Sequence, residues 1–266
     1  MWTKEELDRY ARHIILPGVG GAGQARLRQS AVLVVGAGGL GAPALLYLAA
    51  AGVGRLGVVE MDRVELSNLQ RQVLYDTSVL GQPKAEVAQA RLQSLNPHVQ
   101  VEVYNRRLEA NNARKTLQPY DLVLDCSDNF PTRYLVNDAC VLLGKPLVYG
   151  AIHQFEGQLS LFHYQGGPCY RCLYPTPPAP GSVPSCAEAG VFGVLPGVVG
   201  SLMAAEALKV LLGLGETLSG RLLLYDGLSA QFRNLRFRRR PDCPVCGEHP
   251  SVTTLQNYEE GCGISS

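Results

Sequence analysis

The chain carries no excess of either charge. Its 24 Lys and Arg residues offset 23 Asp and Glu, leaving a formal net charge of +1. That balance excludes the basic footprint of a nucleic-acid or membrane-surface protein. The one basic run, Arg236 to Arg240, reads as a solvated strand end. No apolar leader opens the sequence, since Met1-Trp2-Thr3-Lys4-Glu5-Glu6 is polar and acidic, and no secretory signal is expected. The longest apolar stretch, Val191 to Leu214, is broken by Gly193, Pro196, Gly197 and Gly200 and carries Glu206 and Lys209, which predicts a buried loop and helix and no membrane span. There is no internal repeat, and the absence of a G-x-x-x-x-G-K-[ST] loop excludes a P-loop enzyme. Eight cysteines without a leader place the expectation in a reducing, cytoplasmic compartment, where Cys-x-x-Cys pairs hold metal or do redox work.

What is present alternates. Residues 4 to 16 have Leu7, Ala11, Ile14 and Ile15 at helical spacing, and Pro17-Gly18 and Gly20-Gly21 read as the stop. Ala31 to Val35 is a continuous apolar run, as in a strand covered on both faces. A glycine loop, a small-residue helix through Ala51 and a second strand, Leu56 to Glu60, complete a βαβ unit. Further helices start at Gly81-Gln82-Pro83-Lys84 and near Pro131, and further strands fall at Val99 to Tyr104, Asp121 to Cys126 and Leu147 to Tyr149. Strands alternating with helices predict an α/β fold with a Rossmann-like sheet, parallel in the N-terminal half. Beyond residue 150 the pattern changes. A strand at Gln158 to Tyr164, a Pro/Gly-rich stretch from Gly166 to Pro184, a helix from Pro196 to Leu212 and a hairpin around Asp226-Gly227 predict a mixed or antiparallel C-terminal half. We expect one domain over residues 1–247: a helical arm (1–30), a nucleotide-binding half (31–150) and a partner-binding half with a zinc ribbon (151–247). A polar, loose tail (248–266) would follow.

Two motifs carry the chemistry. Gly36, Gly38 and Gly41 fit G-x-G-x-x-G between a strand and a helix, where backbone N–H groups can approach a phosphate. Glu60, at the end of the second strand, can hold ribose hydroxyls. The alternative is a tight structural turn. Arg71 and Lys84 could neutralise a triphosphate, and Asp128, followed by Asn129, could hold Mg²⁺. Alone, each cation would more often be a surface charge, and Asp128 could equally be a helix N-cap. Cys169/Cys172 and Cys243/Cys246 form two Cys-x-x-Cys pairs that together supply the four soft ligands of tetrahedral, structural Zn²⁺. A redox-active pair would leave the other pair unexplained, and an iron–sulfur centre is open on ligand type alone. Cys126 and Cys140 read as core residues, and Cys262 as incidental.

In order, GAGGLG, SNLQRQ, GQPKAE, DCSDNFPTRYLVND, PCYRC, SCAEAGV and CPVCG resemble the ThiF/MoeB family of ubiquitin-activating-enzyme-like adenylyltransferases, from Arg9-Tyr10 to Gly247. The resemblance implies Gly39 against the ATP phosphates, Glu60 on the ribose and Asn68, Arg71 and Lys84 on the triphosphate, with Ser67 and Asn129 beside them. It implies Mg²⁺ at Asp128, and an Arg12 that reaches the ATP of a neighbouring subunit in a homodimer. The family usually has Asp where this chain has Glu60, so the ribose contact must shift by a methylene. Cys186 matches a cysteine that can bond covalently to the activated partner. The implied activity is ATP-dependent adenylation of the C-terminal glycine carboxylate of a small ubiquitin-like sulfur carrier of the ThiS or MoaD type, releasing pyrophosphate. Such carriers serve thiamine, molybdenum-cofactor or tRNA-thiolation pathways. Some relatives add a rhodanese domain; here a separate sulfur donor is expected. The competing readings are an NAD-dependent oxidoreductase, which needs the loop and Glu60 but neither Lys84 nor Asp128, and a non-catalytic adaptor for a ubiquitin-like protein.

Overall fold

The computed structural model describes residues 2–178 and 189–258. The chain opens on two helices, α1 (Lys4–Ile14) and α2 (Gly20–Gln29). It then alternates β1 (Ala31–Val35), α3 (Gly41–Ala50), β2 (Arg55–Val59), α4 (Lys84–Leu95), β3 (Gln100–Tyr104), α5 (Ala110–Leu117), β4 (Leu122–Asp125), α6 (Phe130–Leu143) and β5 (Leu147–His153). After β6 (Glu156–Phe162) come a single turn, α7 (Tyr170–Leu173), a long helix, α8 (Leu195–Leu212), and the hairpin β7 (Arg221–Asp226) and β8 (Gln231–Arg236). The eight strands among the described residues form one sheet in the order β3-β2-β1-β4-β5-β6-β7-β8. Pairing is parallel from β3 through β5 and antiparallel from β5 through β8, as the change of pattern near residue 150 implies.

Every residue of β1 is buried. Strand geometry sends successive side chains to opposite faces, so Val32 and Val34 join the core built with α3, α4 and α8, while Leu33 and Val35 join the core built with α5 and α6. This is why the strand reads as an unbroken apolar run. By length and composition α8 could cross a membrane, yet half of it is buried inside the protein, with Leu195, Val199, Met203 and Ala207 packed into the first core.

Two helices escape the sequence pattern. α2 begins at Gly20-Gly21, a pair that by composition ends a helix, and no side chain caps its start. It forms because Leu27 and Gln24 are buried on tertiary packing, with Gln24 donating to the Ala51 carbonyl at 2.7 Å. α5 is closed by a reciprocal cap between Glu109 and Asn112, an unusual pair for that role.

α6 joins distant parts of the chain. Its Asn137 side chain accepts from the Tyr170 N–H at 2.8 Å. Its Asp138 receives Arg171 Nε at 2.8 Å and Nη2 at 2.9 Å, with both side chains almost fully buried. The described part of the polar C-terminal segment supplies the third member, since Tyr258 donates to Asp138 at 2.6 Å and accepts from Arg171 at 2.7 Å. Composition alone gives no sign of this docking, because the anchor is one aromatic hydroxyl in a polar stretch. Removing Asp138 would leave the Arg171 charge buried and uncompensated. Asp138→Ala is therefore expected to lower unfolding free energy by about 3–5 kcal/mol in urea titrations; a loss under about 1 kcal/mol would mean that Arg171 finds another partner.

Candidate nucleotide cleft and metal centre

The parallel register levels the C-terminal ends of β1, β2 and β4: Val35 lies opposite both Val59 and Asp125. The segments that leave these ends therefore share one edge of the sheet, at the point where chain order reverses between β1 and β4. That is the position at which open α/β sheets bind ligands. A cleft of about 460 Å³ opens there, lined by Gly36, Gly38, Gly39, Glu60, Arg71, Lys84, Asp128 and Asn129 among others. Eight of the residues singled out from sequence thus come together on its wall.

The glycine turn is shaped by close approach. Gly36 has φ of +92° and its N–H donates to the Val59 carbonyl at 2.9 Å. A Cβ on Gly41 would lie 2.0 Å from the Gly36 carbonyl oxygen. Gly41 does not line the cleft; it allows α3 to start directly beneath the turn. Glu60 folds its carboxylate back on the backbone, with Oε2 accepting from the Ala37 N–H at 2.9 Å and Oε1 from the Met61 and Asp62 N–H groups at 2.8 and 2.9 Å. The acid is thereby fixed between the glycine turn and the following loop.

The cations Arg71 and Lys84 line the same cleft. Arg71 follows a 3-10 turn at Leu66–Asn68 and donates Nη1 to the Ser67 carbonyl at 3.0 Å. Ser67 itself is exposed and bonds Glu65 at 3.3 Å, outside the cleft wall. Asn68 is buried with Oδ1 unpartnered. Lys84, the first residue of α4, is buried and its Nζ lies 3.4 Å from Asp62. Asn129, not Asp128, is the N-cap of α6, accepting from the Thr132 N–H at 2.9 Å. The capping alternative for Asp128 is thereby removed: its exposed carboxylate bonds no described residue and faces the cleft.

Several cleft residues lie outside the sequence reading: Asp62, Gln72, Arg107, Thr132 and Arg133. Gln72 and Arg133 sit one turn from residues already identified, which is the signal that could have found them. Asp125, beneath the cleft, accepts the Ser127 N–H and hydroxyl at 3.0 and 2.6 Å, and burial pushes its carboxyl up. Burial likewise raises the Cys126 and Cys140 thiols, so neither is a ready nucleophile. Arg12 lies elsewhere. It lines a separate cavity between α1, α3 and α8 with Arg9, Tyr47 and Leu208, near exposed Leu7, Ile15 and Leu16. Cys186 and Cys262 fall outside the described residues.

The second centre is the cysteine cluster. The Sγ atoms of Cys169, Cys172, Cys243 and Cys246 lie within 4.8 Å of one another and all four residues are buried. The closest approaches are 3.4 Å (Cys172–Cys246), 3.5 Å (Cys169–Cys243) and 3.9 Å (Cys169–Cys172). These are far too long for disulfides and match the ~3.8 Å between sulfurs around a tetrahedral ion with bonds near 2.3 Å. The cluster can hold a metal ion. Val141 of α6 packs against it and the Arg240 N–H points at Cys172 Sγ at 3.5 Å.

Residues 10–245 match the ThiF family. The chain belongs to the ThiF family. Among its relatives, the sulfur carrier protein adenylyltransferase of Thermus thermophilus is 68% identical, with 99% of each chain covered. The mouse adenylyltransferase and sulfurtransferase MOCS3 is 54% identical over 99% of this chain, which spans 58% of that longer protein. The fold is shared with the ATP-containing crystal structure of E. coli MccB, at TM-score 0.78 and 23% identity, covering 92% of this chain and 75% of that one. In this ThiF-family chain the tightest constraint on the cleft is the Gly41–Gly36 contact. Gly41→Ala is expected to cost about 1–3 kcal/mol of stability in thermal or chemical unfolding. An unchanged midpoint would mean that the turn relaxes freely.

Proposed function

We propose that this protein adenylates the C-terminal glycine carboxylate of a small ubiquitin-like sulfur-carrier protein of the ThiS or MoaD type, using Mg²⁺–ATP as substrate. A carboxylate oxygen attacks the α-phosphorus, the bond to the β-phosphate bridge breaks, and pyrophosphate leaves. The acyl-adenylate then yields to a sulfur nucleophile at its carbonyl carbon, and the C–O bond breaks to release AMP. The observation that carries the reading is the convergence of Arg71, Lys84 and Asp128 on one cleft beside a glycine turn. An attack of one anion on another is limited by charge repulsion and positioning, and fixed cations with a metal-holding acid relieve both. Glu60 would hold the ribose, Asn68, Arg71 and Lys84 the phosphates, and Asp128 the magnesium ion.

An NAD-dependent oxidoreductase has no use for a buried lysine and an exposed aspartate at this place. A decayed adaptor would have no reason to retain the full set. The similarity to the Thermus sulfur carrier protein adenylyltransferase and to the mouse adenylyltransferase and sulfurtransferase supports the same activity.

The assembly we propose is a homodimer in which Arg12 reaches the partner's ATP. Its support is that Arg12 lies away from its own cleft, in a stretch of chain that also exposes Leu7, Ile15 and Leu16. Sulfur would come from a separate donor protein, and every cysteine among the described residues is buried. Cys186 is the proposed acceptor of a covalent adduct, and the cytoplasm the proposed compartment. Zn²⁺ is the proposed metal of the cysteine cluster. Four thiolates close its shell, which makes the ion structural.

Carrier-dependent exchange of labelled pyrophosphate into ATP tests the reaction. The protein should catalyse it, and Asp128→Ala should reduce it by at least about a hundredfold without shifting the melting temperature. No exchange with any sulfur carrier of the same cell would overturn the proposal. For the metal, elemental analysis should give one zinc per chain, lost in Cys243→Ser together with several degrees of melting temperature. Iron in place of zinc would contradict the assignment.

A further inference from the structure

Lys84 has a single acidic neighbour within ion-pair reach among the described residues, Asp62, and sequence motifs give that residue no role. The lysine side chain is 5% exposed and the aspartate 60%. Three contacts tie them into the site. The Asp62 N–H donates to Glu60 Oε1 at 2.9 Å, its carbonyl accepts from the Lys84 N–H at 2.9 Å, and its Oδ2 lies 3.4 Å from Lys84 Nζ. Asp62 therefore stands between the acid assigned to the ribose and the lysine assigned to the phosphates, and all three line the same cleft.

We propose that Asp62 is a positioning residue for Lys84. The inference rests on the adenylation reading above. A lysine stem is flexible and its ammonium is a compact charge with three donors. Among the described residues the ammonium has one side-chain partner, at 3.4 Å, and Lys84 lines the cleft. Asp62 holds the stem extended before nucleotide arrives. Phosphate oxygens compete for the same ammonium when ATP binds, and Asp62 takes it back as pyrophosphate departs. The carboxylate is not needed to hold the backbone. Arg63 bonds the Gly81 carbonyl at 2.7 Å, and the Val64 N–H bonds the Gln82 carbonyl at 2.9 Å, both independent of the Asp62 side chain.

The test is steady-state pyrophosphate exchange with Asp62→Asn, Asp62→Glu, Lys84→Met and the double variant D62N/K84M, with melting temperatures as the folding control. Asp62→Asn should lower kcat about tenfold while KM for ATP changes less than about threefold. Asp62→Glu should recover most of kcat. In the Lys84→Met background Asp62→Asn should change nothing, because the residue through which Asp62 acts is gone. Turnover of Asp62→Asn within twofold of the wild type, or the same loss in the Lys84→Met background, would overturn the proposal. If Asp62→Asn melts early, recovery by Asp62→Glu decides: a folded Asp62→Glu without restored kcat counts against it. Wild-type protein that shows no exchange sinks the adenylation reading instead, so the two failures are distinct.

Discussion

The levelling of three parallel strand ends is the constraint on which the site depends. Val35, Val59 and Asp125 are held in register by ladder hydrogen bonds, so the glycine turn, Glu60 and the Cys126–Asp128 segment leave the sheet at one height. None of these groups is near another in sequence. A slip of one residue in any of these pairings would turn side chains to the opposite face and move the acid away from the turn. The hydrophobic pattern of β1, buried on both faces, makes that slip costly. The packing that stabilises the domain also fixes the geometry of the cleft.

The second organising element is α6. Its N-terminus presents Asn129 as a cap and leaves the Asp128 carboxylate open to the cleft. Two turns on, Asn137 and Asp138 hold the loop that carries Cys169 and Cys172. One helix thus links the open carboxylate of Asp128 to the four-cysteine cluster. Its Tyr134 hydroxyl also donates to the Thr176 carbonyl at 2.6 Å, near the last described residues before the segment that contains Cys186. The pairing of a glycine loop with a four-cysteine cluster in one chain then has a structural reason: the cluster packs on the far side of a helix whose near end lines the cleft beside the glycine turn.

Much of this was legible in the sequence, for identifiable reasons. β1 and β4 read correctly because strands buried on both faces carry unbroken apolar runs, AVLVV in β1 and LVL in β4. The cysteine cluster read correctly because a two-residue spacing within each pair is set by local geometry, whatever the distance between pairs. α2 was hidden because tertiary burial of Leu27 overrides the poor helix propensity of its glycines. The docking of Tyr258 was hidden because a polar stretch gives no periodic signal. Asp62 was hidden in plain view: its side chain matters through a lysine 22 positions away, and only the fold brings the two within 3.4 Å.

The central claim is that the cleft's cations and acid direct a protein's terminal carboxylate onto the α-phosphorus of ATP. The most direct measurement is oxygen tracing. A sulfur carrier whose C-terminal carboxylate is labelled with heavy oxygen is turned over with ATP and a sulfide source, and the AMP and pyrophosphate are analysed by mass spectrometry. Attack on the α-phosphorus places one heavy oxygen in AMP and none in pyrophosphate. Unlabelled AMP, or heavy oxygen in the other phosphates, would contradict the account.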